Sequence, residues 1–383
     1  MHESMYDDDL RTFRDAFKKF LDKEVKPFHA QWEHEGMVPR SLWEKAGAAG
    51  FLCIPTATEY GGSALPFRYA AVVQEETSRA HASGVGFSLH SDIVVPYIEN
   101  FGSDEQKKQW LPGMATGKII GAIAMTEPGT GSDLQAMTCK ARLDGDEWVI
   151  NGSKTFISNG QLCDLTIVAC RTEIPGQDAA TGWQSMSLFL VPSSAKGFVR
   201  GKRLEKIGMH AQDTSEMHFE ECRVPKSYLL GEIGQGFLYL MRQLAQERLI
   251  IAIANVAGAE ETLAHTIEYC KERKAFGKPI SAFQNTKFRL AEMATEIKLG
   301  RVFVDDCIRR LEQGENLTVE GSMAKYWCSE MLGRVVDGCL QLFGGYGYMM
   351  EYPIAKAYLD ARVQRIYGGT TEIMKEIIAR SLV

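Results

Sequence analysis

Four short stretches of this 383-residue sequence carry residue types whose chemistry goes beyond packing. In the first, Glu247 has Arg248 beside it and Leu244, Leu249, Ile250 and Ile251 around it. Apolar surroundings disfavour an ionised carboxyl and raise its pKa, which suits a group that must take up and hold a proton during a reaction. Taken alone, a Glu at helical spacing is also what a helix surface uses to pair with a neighbour. The second stretch is Gly129-Thr130-Gly131-Ser132-Asp133, whose glycines let a phosphate or another ligand come close to the backbone before Ser132. In the third, Phe156 and Ser158 stand two apart, on one side of a strand, although Phe156 by itself also reads as a core aromatic. The fourth contains Arg273, whose five donors suit a diphosphate. Outside any context it is a solvated charge at a helix end.

Helices must position the first and fourth stretches, and strands the middle two. Apolar residues three or four apart predict helices over 9–25, 40–49 and 67–79, and a buried, closely packed helix over 81–91. From about residue 119 to 231 the period becomes two. Asp144-Gly145-Asp146 marks a hairpin between two strands, and 165–169, 186–191 and 216–219 read as further strands. The helical period then returns over about 237–273, 282–311 and 319–342, followed by two shorter helices. Strands and helices do not alternate one-to-one, which argues against a doubly wound parallel sheet. The glycine stretch also lacks a dinucleotide fingerprint, because Leu134 stands where the third Gly belongs. The predicted fold is mixed α and β in three domains: an N-terminal α-helical domain (1–119), a central antiparallel β-barrel or sandwich (120–232), and a C-terminal four-helix bundle (233–383).

Composition narrows the function classes. Forty-three Lys and Arg against 49 Asp and Glu give a net charge of −6, which argues against a nucleic-acid binder. The longest apolar stretch, near 249–259, falls well short of the roughly 20 residues of a membrane span. Nine scattered Cys without a CxxC pair point to free thiols in a reducing compartment. The acidic start lacks a signal-peptide pattern, so a cytoplasmic location is expected. The eight His show no metal spacing, and His81 and His90 read as core or interface histidines.

Three segments carry a family resemblance. They are Ala124-Met125-Thr126-Glu127-Pro128-Gly129-Thr130-Gly131-Ser132-Asp133, Asn151-Gly152-Ser153-Lys154-Thr155-Phe156-Ile157-Ser158-Asn159-Gly160, and Arg273-Lys274-Ala275-Phe276-Gly277-Lys278 with Gln284 beyond. Together with Gln341-Leu342-Phe343-Gly344-Gly345 and Tyr367-Gly368-Gly369-Thr370, they resemble the flavin-binding and substrate segments of the acyl-CoA dehydrogenase family, in order along nearly the whole chain. The resemblance implies FAD as cofactor. Contacts are expected from Ile123, Met125, Thr126, Ser132, Phe156, Ser158, Thr370 and Glu372, with Ser132 near the FAD diphosphate or the CoA. It also implies that Arg273, Phe276, Gln284, Gln341, Gly344 and Gly345 complete the site of a neighbouring subunit. The chain is then a homo-oligomer, typically a tetramer.

The family removes an α-proton from an acyl-CoA thioester while a hydride passes to the flavin, giving a trans-2-enoyl-CoA. Most members carry the base as Glu in a Tyr-Glu-Gly-Thr loop, but Gly368 occupies that place here and has no side chain. Glu247 matches the position of the base in the isovaleryl-CoA and long-chain branches, on the cavity-lining helix just before an Arg. Glu372 is the second-ranked carboxylate. Gln246 and Arg248, next to the base, and Gly368 and Gly369 are expected to contact substrate, with the Gly368 N–H on the thioester carbonyl. Returning a carboxylate to position 368 when Glu247 is Gln is expected to recover part of the rate, limited by a cavity not shaped for it. Met323-Ala324-Lys325-Tyr326-Trp327 and 351–358 are most similar to the long-chain branch, implying a medium- to long-chain or branched substrate and an electron-transfer flavoprotein as acceptor. The alternatives are a short branched (isovaleryl-like) or terpenoid acyl-CoA dehydrogenase, and a flavin-binding scaffold without catalysis.

Overall fold

Spacing and capping set the N-terminal helices. The computed structural model describes residues 1–173 and 182–383. Helix α1 (Asp8–Glu24) starts where the Asp7 carboxylate accepts the Leu10 N–H at 2.8 Å and buries Leu10, Phe17 and Leu21. Burying a side chain of that size contributes about 1.5–3 kcal/mol. Helices α2 (His29–Glu35), α3 (Arg40–Ala48) and α4 (Phe67–Arg79) follow. The predicted helix over 81–91 is corrected. His81 to Gly84 form a turn, with His81 at φ +49° and Gly84 at φ +99°, and helical structure begins at Phe87. It runs through a π-turn (Leu89–Val94) into α5 (Val95–Phe101), then α6 (Asp104–Ala115), whose Ser103 and Gln106 form a capping box.

Eight strands make one sheet: β1 (Gly121–Ala124), β2 (Lys140–Asp144), β3 (Glu147–Ser158), β4 (Leu165–Glu173), β5 (Met186–Pro192), β6 (Phe198–Arg203), β7 (Thr214–Pro225) and β8 (Leu229–Leu230). The order is β6-β7-β3-β2-β4-β5-β8, with β1 also on β4. The hairpin at Gly145 stands as predicted, Asp144 facing Glu147 and Gly145 at φ +63°. Antiparallel pairing dominates, but β1 and β2 both run parallel to β4. Successive residues of β4 and β5 face different cores. Leu165, Ile167, Leu188 and Leu190 join the core of the helices, while Val168, Cys170, Phe189 and Val191 fill the interior of the β part with Trp148.

The C-terminal part holds three long helices: α7 (Gly236–Glu272), α8 (Gln284–Glu312) and α9 (Thr318–Phe343). Between α7 and α8 lies a two-residue-strand hairpin, β9 (Lys274–Ala275) and β10 (Lys278–Pro279). The long helices pack on one another, and the short α10 (Pro353–Ala361) and α11 (Thr371–Arg380) pack on α9. Gly321 lets α9 approach α7 closely, since a Cβ there would lie 2.9 Å from the Ala245 carbonyl oxygen. Among the described residues no helix is long and apolar enough to cross a membrane.

Candidate active site

The segment Leu89–Phe101 joins β1 to α7. His90 Nδ1 accepts the Gly121 N–H at 3.0 Å, and its Nε2 lies 3.1 Å from the Met114 carbonyl. Burial pushes the His90 pKa down to about 4, so the ring is neutral at physiological pH, a core histidine as read from the sequence. On the other side Gln246 donates to the Asp92 carbonyl and Gln243 to that of Pro96, both at 2.8 Å. These contacts hold the start of β1 and the N-terminal part of α7 in one assembly.

Glu247 is only 4 % exposed and accepts a hydrogen bond from the hydroxyl of fully buried Tyr97 at 2.7 Å. Burial pushes its carboxyl up to about 7, against the opposing pull of the Tyr97 hydrogen bond and the Arg248 charge. Position 247 is therefore not a helix-surface pairing site, and its carboxyl is poised to exchange a proton near neutral pH. Its neighbours face other partners. Gln246 engages Asp92, and Arg248 donates to Ser322 of α9 at 3.2 Å, so both spend donors on helix packing.

Opposite this helix stands the Gly368–Gly369 turn. Gly368 has φ +64°, and a Cβ built there would lie 2.4 Å from Ile251 Cδ1, one turn beyond Glu247. Gly369 has φ +96°. Thr370 caps α11, accepting the Ile373 N–H at 3.3 Å. Glu372 is exposed in the first turn of that helix, its carboxyl held low by its own N–H and by Thr370.

The end of β1 forms a second cluster. Half-buried Ile123, Met125 and Thr126 lie beside the C-terminal end of β3. The Thr126 carbonyl accepts the Thr155 N–H at 2.9 Å, and the Met125 carbonyl accepts the Lys154 ammonium at 3.0 Å. Lys154 is fully buried and pairs with buried Glu127 at 2.8 Å. Glu127 in turn accepts the N–H groups of Thr138 and Cys139. Burial alone would raise the Glu127 pKa, but these partners hold it below its ordinary value. Lys154→Met leaves that carboxylate buried without its cation, so a loss of about 3–5 kcal/mol is expected. Thermal unfolding would show it as a lower Tm, and an unchanged Tm would mean the pair contributes nothing.

The alternation argument for Phe156 and Ser158 is corrected. A bulge between Lys154 and Ile157 breaks the pleat, and Phe156 takes φ +60° and is 68 % exposed. Spacing of two no longer decides which face the pair shares. A left-handed Phe carries about 1–3 kcal/mol of strain, and such strain concentrates at ligand sites. Beyond it the turn Glu127–Thr130 closes with reciprocal backbone bonds, and Ser132 is exposed. Gly129 and Gly131 have no atom within 4 Å of an added Cβ and no positive φ. The fold itself does not require glycine at either place, which fits a group approaching from outside.

A third cluster lies at the far end of α7. Arg273 is 26 residues beyond Glu247, about 39 Å at 1.5 Å per residue. Its guanidinium sits 5.4 Å from the ring centre of Tyr346, next to Gly344 and Gly345. Phe276, at the hairpin tip with φ +51°, is 95 % exposed. Gln284 opens α8 and Gln341 lies in the last turn of α9, both exposed. The candidate residues thus fall into three groups: β1–β3, Glu247 with the Gly368 turn, and the Arg273 end. Two residues at these sites, Tyr97 against Glu247 and Lys325 against Gly369, are given no role by the sequence reading. Tyr97 sits in the apolar run Val94-Val95-Pro96-Tyr97-Ile98 and signals only core, and Lys325 had no charged partner in sequence to mark it.

Profiles of the acyl-CoA dehydrogenase N-terminal, middle and C-terminal domains match residues 7–118, 122–222 and 234–383. The chain belongs to the acyl-CoA dehydrogenase family. As an acyl-CoA dehydrogenase it is an FAD-dependent oxidoreductase acting on a CH–CH bond in fatty-acid oxidation. It is 52 % identical over 371 residues to the mitochondrial long-chain specific acyl-CoA dehydrogenase of Sus scrofa, covering 97 % of this chain and 86 % of that one. The crystal structure of an acyl-CoA dehydrogenase from Geobacillus kaustophilus matches with TM-score 0.96 and 50 % identity over 98 % of each chain. A chain from a structure titled as the electron transferring flavoprotein of Acidaminococcus fermentans matches at TM-score 0.93 and 34 % identity, over 99 % of this chain and 98 % of that one.

Proposed function

We propose that this acyl-CoA dehydrogenase acts on medium- to long-chain acyl-CoA with Glu247 as the catalytic base. The observation that carries the assignment is a buried carboxyl, pushed up to about 7 and held by Tyr97, on the helix facing a turn whose residue 368 has no side chain. The resemblance to a long-chain specific relative at 52 % identity supports the chain length.

FAD, when bound, supplies the acceptor for the hydride that leaves the β-carbon. The protein does the rest. The Gly368 N–H binds the thioester oxygen and makes the α-proton more acidic, because charge grows on that oxygen as the proton departs. One oxygen of the Glu247 carboxylate takes the α-proton while Tyr97 holds the other. Leu244, Ile250 and Ile251, three or four residues from it on the same helix face, are buried and exclude water, which keeps the base unsolvated. The product is a trans-2-enoyl-CoA. Met125, Thr126, Phe156, Ser158 and Ser132 would hold the cofactor, with Thr370 and Glu372 near it.

Arg273, Phe276, Gln284, Gln341, Gly344 and Gly345 would serve the site of a partner subunit. The roughly 39 Å between Glu247 and Arg273 supports this reading, as does the exposure of Phe276. We take the assembly as a homotetramer, the electron acceptor as an electron-transfer flavoprotein, and the location as cytoplasmic. All nine Cys are buried and unbridged, which supports a reducing compartment. Anaerobic bleaching of the flavin by straight-chain, branched and terpenoid acyl-CoAs tests the substrate assignment. Bleaching fastest with long straight chains supports it; preference for short branched chains would replace it, and no bleaching at all would leave a scaffold.

The pH dependence of flavin reduction follows from the base. Glu247 works when deprotonated, so the single-turnover rate should rise with pH through about 7 and then level off. Tyr97→Phe removes a hydrogen bond that favours the ionised form, so the pKa should rise and the curve move to higher pH. A midpoint that stays put or moves down would show that the Tyr97 bond does not tune the base.

A further inference from the structure

Two consecutive glycines have no side chains to fix their conformation, so the Gly368–Gly369 turn must be held from outside. Ile251 closes on Gly368 from α7, and Thr370 anchors the turn to α11. The remaining hold comes from α9, where the Lys325 ammonium donates to the Gly369 carbonyl at 2.5 Å.

Lys325 is an unusual residue to bury completely. The other fully buried lysine, Lys154, has the Glu127 carboxylate at 2.8 Å. For Lys325 the nearby carboxylates are committed or solvated. Glu330 is shared by Arg365 and Thr371, and Glu372 is exposed. Burial and the Arg248 charge bring the Lys325 pKa down to about 8, against the pull of Glu330 and Glu372. A buried ammonium beside another cation is costly to keep charged. A carbonyl on an ordinary helix end would not need it.

We propose that Lys325 is a positioning residue: by fixing the Gly369 carbonyl it sets the Gly368–Gly369 turn and aims the Gly368 N–H at the thioester oxygen. This rests on Gly368 as the oxyanion donor. Lys325 touches no reacting atom and acts through the turn alone. Losing it loosens the aim of the donor, so the rate should fall by about tenfold or more, less than the ~10²–10³ of deleting such a donor outright.

The test is isotope-edited infrared spectroscopy of a 2-enoyl-CoA labelled with ¹³C at C1, bound to the flavin-loaded enzyme, alongside single-turnover flavin reduction. The wild type should lower the carbonyl stretch relative to the free thioester. Lys325→Met should lose part of that shift and reduce flavin about tenfold or more slowly at unchanged FAD content. Lys325→Arg, which keeps a donor, should retain more of both. A purely structural lysine would change Tm and leave the carbonyl band in place. No shift in the wild type removes the oxyanion reading of Gly368 and this proposal with it, whereas a shift and rate that survive Lys325→Met remove this proposal alone. Should Lys325→Met fail to load FAD, Lys325→Gln carries the same readout, and an unchanged band and rate there overturn the proposal.

Discussion

Glu247→Gln is expected to bind FAD and acyl-CoA as the wild type does, yet reduce flavin at least ~10²–10⁴-fold more slowly. The amide has nearly the volume of the carboxyl and its oxygen can still accept from Tyr97, so packing around α7 should persist. It cannot take the α-proton. Anaerobic single-turnover reduction isolates this step from reoxidation. A rate near wild type would remove Glu247 from the mechanism and move the search to Glu372. The same substitution should also stabilise the fold at alkaline pH. Glu247 ionises near its ordinary value in the unfolded chain but only at about 7 in the folded one. Stability is therefore lost as pH rises between those values, by something on the order of 3 kcal/mol. The Gln variant lacks that loss, so its Tm at pH 8 should exceed the wild type's.

Moving the base to position 368 is expected to restore only part of the rate. In the Glu247→Gln background, Gly368→Glu places a side chain on a residue at φ +64°, with its Cβ 2.4 Å from Ile251 Cδ1. The positive φ strains any side chain there, whereas the contact with Ile251 is to the movable end of its side chain and a rotamer change relieves it. The partial recovery expected from the sequence therefore remains the expected result for the double variant, limited by the strain at φ +64°. Adding Ile251→Ala spares the rotation of that side chain but leaves the backbone strain, so the triple variant should recover more flavin reduction than the double while staying below wild type. Recovery in the double variant equal to that in the triple would show that Ile251 does not hinder a side chain at 368.

The parts legible in the sequence were those with strong local periods. Helices α1, α4, α7, α8 and α9 have apolar stripes over two or more turns, and the Gly145 hairpin has its own turn chemistry. The start of the helix at Phe87 was not legible, because a π-turn follows a spacing of five and leaves no familiar stripe. Strand β6 was missed because Phe198-Val199-Arg200-Gly201-Lys202-Arg203 lies largely at the surface and has no alternation to read. At the site, the empty position at Gly368 and the apolar setting of Glu247 were visible. Tyr97 was not, since its partner lies 150 positions away and only packing brings them together. The same holds for Lys325 and the Gly369 carbonyl.

Helix α7 is one rod with Glu247 near its beginning and Arg273 just past its end. On the proposal that those two ends serve different active sites of an oligomer, the chain would obey an inheritance rule. A subunit defective at Glu247 would then spoil the site on its own body, and one defective at Arg273 would spoil the site of its neighbour. When the two kinds of subunit pair, both lesions fall in the same site and the other site of the pair is built entirely from intact parts. Two alleles that are each dead alone would then complement in a heterozygote, whereas two alleles hit at the same end of the rod would not.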